Sequence, residues 1–132
     1  MLVLLFFILA LITACSSQDY ANLTRVDIQK VNPDGNYEDT VIITNNQTIE
    51  ELKSIFIDIK WEPNIQAEMA RKEDVLVTLF YTIDENMPEK LYEYRVWFNG
   101  NGNATIVSNN EVEGYGSLNE EDTLKLKNIL LN

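Results

Sequence analysis

The sequence predicts a two-layer α+β domain, an antiparallel sheet of about four to five strands with two helices packed on one face, in the order β-β-α-β-β-β-α. Three observations carry this. Segments 74–83 and 90–98 alternate side chains at period two, as strands do. Segments 48–59 and 119–130 place apolar residues at helical spacing behind polar, cap-forming residues. The connections between strands are short and rich in Asn, Gly and Pro, so consecutive strands should return on one another as hairpins.

In chain order, residues 23–31 alternate through Val26 and Ile28 and read as a strand. Asn32-Pro33-Asp34-Gly35-Asn36 is a turn: Pro33 presets φ, Asp34 can bond the backbone, and Gly35 accepts positive φ. The β-branched run Val41-Ile42-Ile43 within 40–44 completes a hairpin. Thr48-Ile49-Glu50-Glu51 has the form of a capping box opening a helix over 48–59. Its inner face is Ile49, Leu52, Ile55, Phe56 and Ile59, and Trp61-Glu62-Pro63 ends it. Residues 64–72 are a loop or a helical turn. Residues 74–83 are apolar on both faces, which suits a central strand. After a turn at 84–88, residues 90–98 form another strand. Asn99-Gly100-Asn101-Gly102-Asn103 is a hairpin turn, and 104–108 returns from it. Residues 109–117 are a loop or a further short strand. Asn119-Glu120-Glu121-Asp122 opens the last helix, with acidic side chains in the turn where the helix dipole favours them. Thr123, Leu126, Ile129 and Leu130 form its inner face. No internal repeat and no second domain is visible.

The first residues read differently from the rest. Residues 2–12 are uninterruptedly apolar and are followed by Cys15-Ser16-Ser17-Gln18. A spanning helix needs about 20 apolar residues, so this run suits the core of a secretory signal instead. It ends in Ile12-Thr13-Ala14-Cys15, which resembles the lipobox of bacterial lipoproteins. That resemblance implies recognition by the signal peptidase through Ile12, Thr13 and Ala14. It also implies cleavage before Cys15, with diacylglycerol, and an acyl chain such as palmitate, carried by the cysteine. No Lys or Arg precedes the apolar run, although secretory signals usually begin with one. The expected organisation is a cleaved signal at 1–14, a lipidated N-terminus and tether at 15–22, and a single domain at 23–132. The expected location is the extracytoplasmic face of the cell membrane.

Removing residues 1–14 of 132 leaves 118, one domain's length. All 10 basic and all 21 acidic side chains follow Cys15, so this part carries the whole formal charge of −11. Phosphate binding needs a basic patch, so nucleic acid is excluded as an expected partner, and anionic head groups are disfavoured. There is no histidine, and the one cysteine is Cys15. Imidazole bases, His-ligated metals, thiol nucleophiles and disulfides are thereby excluded from the domain. Carboxylates, Lys, Tyr and hydroxyls remain, and the sequence-based expectation is a protein without enzymatic activity, cofactor or metal.

Several further segments carry a likeness: the helix ending at Trp61, then Met69-Ala70-Arg71-Lys72-Glu73-Asp74, Leu91-Tyr92-Glu93-Tyr94-Arg95-Val96-Trp97-Phe98, and Tyr115-Gly116-Ser117-Leu118. Together they resemble a group of small lipoproteins of bacilli, the YhfM-like family, over nearly the whole chain from Val26 to Leu131. The resemblance implies a cell-surface lipoprotein of a Gram-positive organism. It carries no catalytic residues onto this chain.

Four candidate sites follow from the residues. Tyr81, Tyr92, Tyr94 and Trp97 lie on two consecutive strands and form a possible aromatic binding face, set against a role in core packing. The oxygen-rich segment 32–39 suggests calcium, but Gly35 comes too early for an EF-hand and no helix follows, so an ordinary turn is favoured. Glu111 with Glu113, or Glu120 with Glu121, offers paired carboxylates of the kind glycosidases use. Arg71, Lys72 and Arg95 are available to an anion or to surface ion pairs. The functional expectation is a lipid-anchored, non-catalytic interaction module contacting an envelope protein or a wall component. The alternatives are a carboxylate-based wall hydrolase and an accessory structural lipoprotein.

Overall fold

The computed structural model describes residues 20–132. The expected signal sequence with Ile12, Thr13 and Ala14, the expected lipidation site Cys15 and most of the expected tether lie outside these residues. The elements are β1 (Leu23–Lys30), β2 (Val41–Ile43), α1 (Asn46–Ile57), β3 (Lys60–Glu62), β4 (Val75–Tyr81), β5 (Lys90–Phe98), β6 (Ala104–Ser108), β7 (Tyr115–Leu118) and α2 (Glu120–Leu130). The class is α+β, with an antiparallel sheet and two helices. The sheet has seven strands in the order β2-β1-β4-β5-β6-β7-β3, more than the four to five expected.

The two additional strands are short and weakly marked. β3 has three residues, too few to show a period, and it pairs with β7 through Trp61 opposite Gly116. β7 contains Gly116, where a Cβ would lie 2.6 Å from both Ile59 Cγ2 and Trp61 Cε3. Glycine in a strand marks a close approach, and here it admits the Trp61 ring.

Alternation decides what is buried. Val26 and Ile28 of β1, Val75, Val77 and Leu79 of β4, Tyr94 and Val96 of β5, and Ile106 of β6 share one face. Against it pack Ile49, Leu52, Ile55 and Phe56 of α1 and Leu126 and Leu130 of α2. Phe56 meets the Tyr94 ring edge-on, with centroids 5.0 Å apart.

α1 starts earlier than its sequence pattern suggests. Asn45 is the N-cap, and its side-chain oxygen accepts the Thr48 N–H at 3.1 Å. Thr48, expected as the cap, instead sits inside the first turn. Asn is at least as good a cap as Thr, and choosing it starts the helix three residues earlier. α2 begins as expected, with Asn119 accepting the Asp122 N–H at 2.8 Å.

Candidate functional site

The sheet extends past its helical cover at the β2 edge. Val41 and Ile43 pair with Ile28 and Val26 and share their face, yet Val41 is well exposed. A groove of about 460 Å³ opens there. Its apolar walls are Ile28, Val41, Ile42 and Ile43 of the sheet and Ile129 and Leu130 of α2. Its polar side is the start of α1, with Asn45, Thr48 and Glu51, and Lys30 stands at the β1 end. Thr48 is about one helical turn before Glu51, so the helix brings both side chains to the same wall. The positive end of the α1 dipole lies in the same wall. Lys30 donates to Leu131 O at 3.3 Å, which holds the end of α2 against β1.

A second group of polar side chains lies inside the core. Glu113 is only 1% exposed. It accepts hydrogen bonds from Tyr20 Oη at 2.6 Å, Tyr94 Oη at 2.7 Å and Ser108 Oγ at 2.9 Å. The turn 110–114 aims it inward: the amides of Glu113 and Gly114 both donate to Asn110 O, and Gly114 takes φ +68°. Burial, reinforced by the Glu113 carboxylate, pushes both phenols far above their ordinary range, so they remain protonated donors. Every Glu113 oxygen is engaged, and the Glu113 group lines neither this groove nor the smaller one beside Pro33 and Phe98. Its chemistry is that of a satisfied buried network.

The residues singled out from sequence fall as follows. Tyr81 and Tyr94 are core side chains, and Tyr92 packs half-buried against the Tyr81 ring at 5.9 Å. Trp97 is 0% exposed on the opposite face, where its indole N–H donates to Arg71 O at 2.8 Å. The expected aromatic binding face is therefore corrected to core and covered sheet. The reason is that the helices cover one face and the segment before Asp74 crosses the other.

The segment 32–39 is a turn closed by Gly35 N–H to Asn32 O at 2.9 Å. Among the described residues no group of three or more carboxylates is gathered to hold a metal. Glu111 is exposed while Glu113 is enclosed, and Glu120 and Glu121 are neighbours in the first turn of α2. Neither pair faces itself across a groove.

The three cations are already engaged. Arg71 grips Asp74 at 2.7 and 3.0 Å, Lys72 donates to Gly35 O at 2.7 Å, and Arg95 meets Glu73 at 3.1 Å. Burial alone would raise the Glu73 carboxyl, but the Tyr37 hydroxyl, its backbone amide and Arg95 together hold it below its usual value. Sequence reasoning missed the groove and Glu51's place in it, having read Glu51 only as a cap partner.

No protein-family model and no curated protein matches the sequence. Among solved structures, a thioesterase-like protein from Clostridium sporogenes is similar in fold. The TM-score is 0.56 at 19% identity, covering 85% of this chain and 97% of that one. This likeness, with the burial of the aromatic residues, corrects the expectation of a non-catalytic envelope interaction module. The fold is one that a thioesterase-like protein also uses. Excluding histidine and thiol chemistry therefore does not exclude an enzyme. No helix among the described residues is long and apolar enough to cross a membrane.

Proposed function

We propose that the chain is a lipid-anchored protein whose domain takes an acyl ester or thioester in the β2–α1–α2 groove and hydrolyses it with Glu51 as general base. The observation that carries this reading is the groove itself, an apolar trough with one carboxylate at its polar wall. The acyl chain would lie on Val41, Ile43 and Ile129, and the carbonyl would sit by the start of α1. The Glu51 carboxylate takes a proton from water as the oxygen attacks the carbonyl carbon. The positive helix end stabilises the charge that develops on the carbonyl oxygen. The C–S or C–O bond then breaks, and the leaving thiol or alcohol recovers the proton from Glu51. The fold likeness to a thioesterase-like protein supports this class of substrate, and the Ile12-Thr13-Ala14-Cys15 motif supports the anchor.

The test is turnover of acyl thioesters and p-nitrophenyl esters of graded chain length by the purified full chain and by Glu51→Gln. Loss of a general base typically costs about 10²- to 10⁴-fold, and that loss is expected for Glu51→Gln. Equal rates for both proteins, or no rate above water for any ester, would sink the proposal.

A further inference from the structure

Three strongly exposed apolar side chains stand at one end of the sheet. Ile83 and Met87, each 62% exposed, stand in the β4–β5 turn, and Val112, 61% exposed, stands in the β6–β7 turn. The antiparallel pairings β4–β5 and β6–β7 put both turns at the same end. The start of the domain is fastened there too. Asn22 O accepts the Thr82 N–H at 3.1 Å, beside Ile83, and Tyr20 donates to Glu113, beside Val112, at 2.6 Å. At the opposite end the β5–β6 turn, residues 99–103, is Asn and Gly throughout.

We propose that this end of the sheet rests on the lipid bilayer, with Ile83, Met87 and Val112 entering its interfacial layer. The inference rests on the anchor at Cys15. Residues 16–19 separate Cys15 from Tyr20. A fully extended chain spans at most about 3.5 Å per residue, so the tether reaches no further than about 18 Å. Tyr20 is enclosed and held by Glu113, so the tether gains no length by peeling the chain from the domain. The end that carries Tyr20 is thus held close to the surface, and the lipid supplies a high effective concentration for a weak apolar contact. Asp84, Glu85, Glu89 and Glu111 stand in the same two turns, against Lys90 at the start of β5 and Lys53, which donates to Ala21 O. Such a rim is repelled by anionic head groups, so the contact should be stronger on a zwitterionic surface.

The experiment uses the full lipidated protein carrying Met87→Trp, or Asp34→Trp in the turn at the opposite end. Each is reconstituted into phosphatidylcholine vesicles with and without brominated acyl chains, and again with phosphatidylglycerol added. Trp97 is enclosed and Trp61 half-buried, and the two give a common background. The expected result is blue-shifted emission and bromine quenching for Met87→Trp, absent for Asp34→Trp and reduced by phosphatidylglycerol. Equal quenching of the two variants, or none at Met87→Trp, overturns the proposal; the second result would leave these side chains for a protein partner. Palmitate labelling of the wild type and of Cys15→Ser is measured alongside. Labelled protein without quenching defeats the contact and spares the anchor, whereas labelling that does not depend on Cys15 defeats the anchor itself.

Discussion

Replacing Tyr20 by Phe removes one hydroxyl and leaves the ring in place. The ring's edge-on contact with Phe56, at 5.8 Å, survives the change. What is lost is a 2.6 Å hydrogen bond to an enclosed carboxylate. Hydrogen bonds to charged groups contribute about 1.5–3 kcal/mol. The expected cost is therefore about 1.5–3 kcal/mol for Tyr20→Phe. In Tyr94→Phe, Ser108 still serves the same Glu113 oxygen at 2.9 Å, so its cost should lie toward the lower end of about 1.5–3 kcal/mol. Because both phenols serve one carboxylate, the double variant should depart from additivity. Urea unfolding of residues 16–132, with equal m-values across the set, measures all three. Both single variants falling within about 0.5 kcal/mol of wild type would refute the claim that Glu113 organises this part of the core.

Two further outcomes follow from the structure. Gly116→Ala should destabilise the domain by about 1–3 kcal/mol, because its Cβ would meet Ile59 and Trp61 at 2.6 Å and the strand pairing must shift; an unchanged Tm would show that Trp61 can move freely. Asp58 stands against Asp122 at the meeting of the two helices, and the neighbouring carboxyl group raises the Asp58 carboxyl above its ordinary value. That stabilisation is complete below the unfolded carboxylate range and is lost as pH rises through the raised folded pKa, leaving two carboxylates in repulsion at neutral pH. Asp58→Asn should therefore raise Tm at pH 7, with the gain shrinking on acidification through pH about 4; a gain independent of pH would defeat this account.

The central strands and both helices were legible because their burial is periodic. β4 alternates buried and half-buried positions along its whole length, as it must with a neighbour on each side. The hairpin turns were legible because their backbone needs particular residues: Gly35 and Gly102 do sit at positive φ. β3 escaped, and β7 was left open between a loop and a short strand, because the two exist through each other. Three residues ending at Glu62 have no preference of their own that would outweigh the proline after them. Gly116, which reads as a strand breaker, is what lets Trp61 cross β7. Tertiary contact overrides propensity in both cases.

The sites were less legible because their meaning lies in cover rather than in type. Trp97 was correctly set on the opposite face from Tyr92 and Tyr94 by alternation, but sequence does not say that the helices cover one face or that Trp97 is enclosed on the other. Glu113 and Glu111 are two residues apart and chemically alike, yet one lies in the core and the other in water, separated only by how the turn before Gly114 is closed. Glu51 carries the same lesson in the other direction. A glutamate early in a helix reads as a cap partner, and Asn45 has taken that role from Thr48. That transfer leaves the Glu51 carboxylate facing the trough between Val41 and Ile129. A three-residue shift in where a helix begins thus decides whether an acidic side chain closes its own helix or is presented to a ligand.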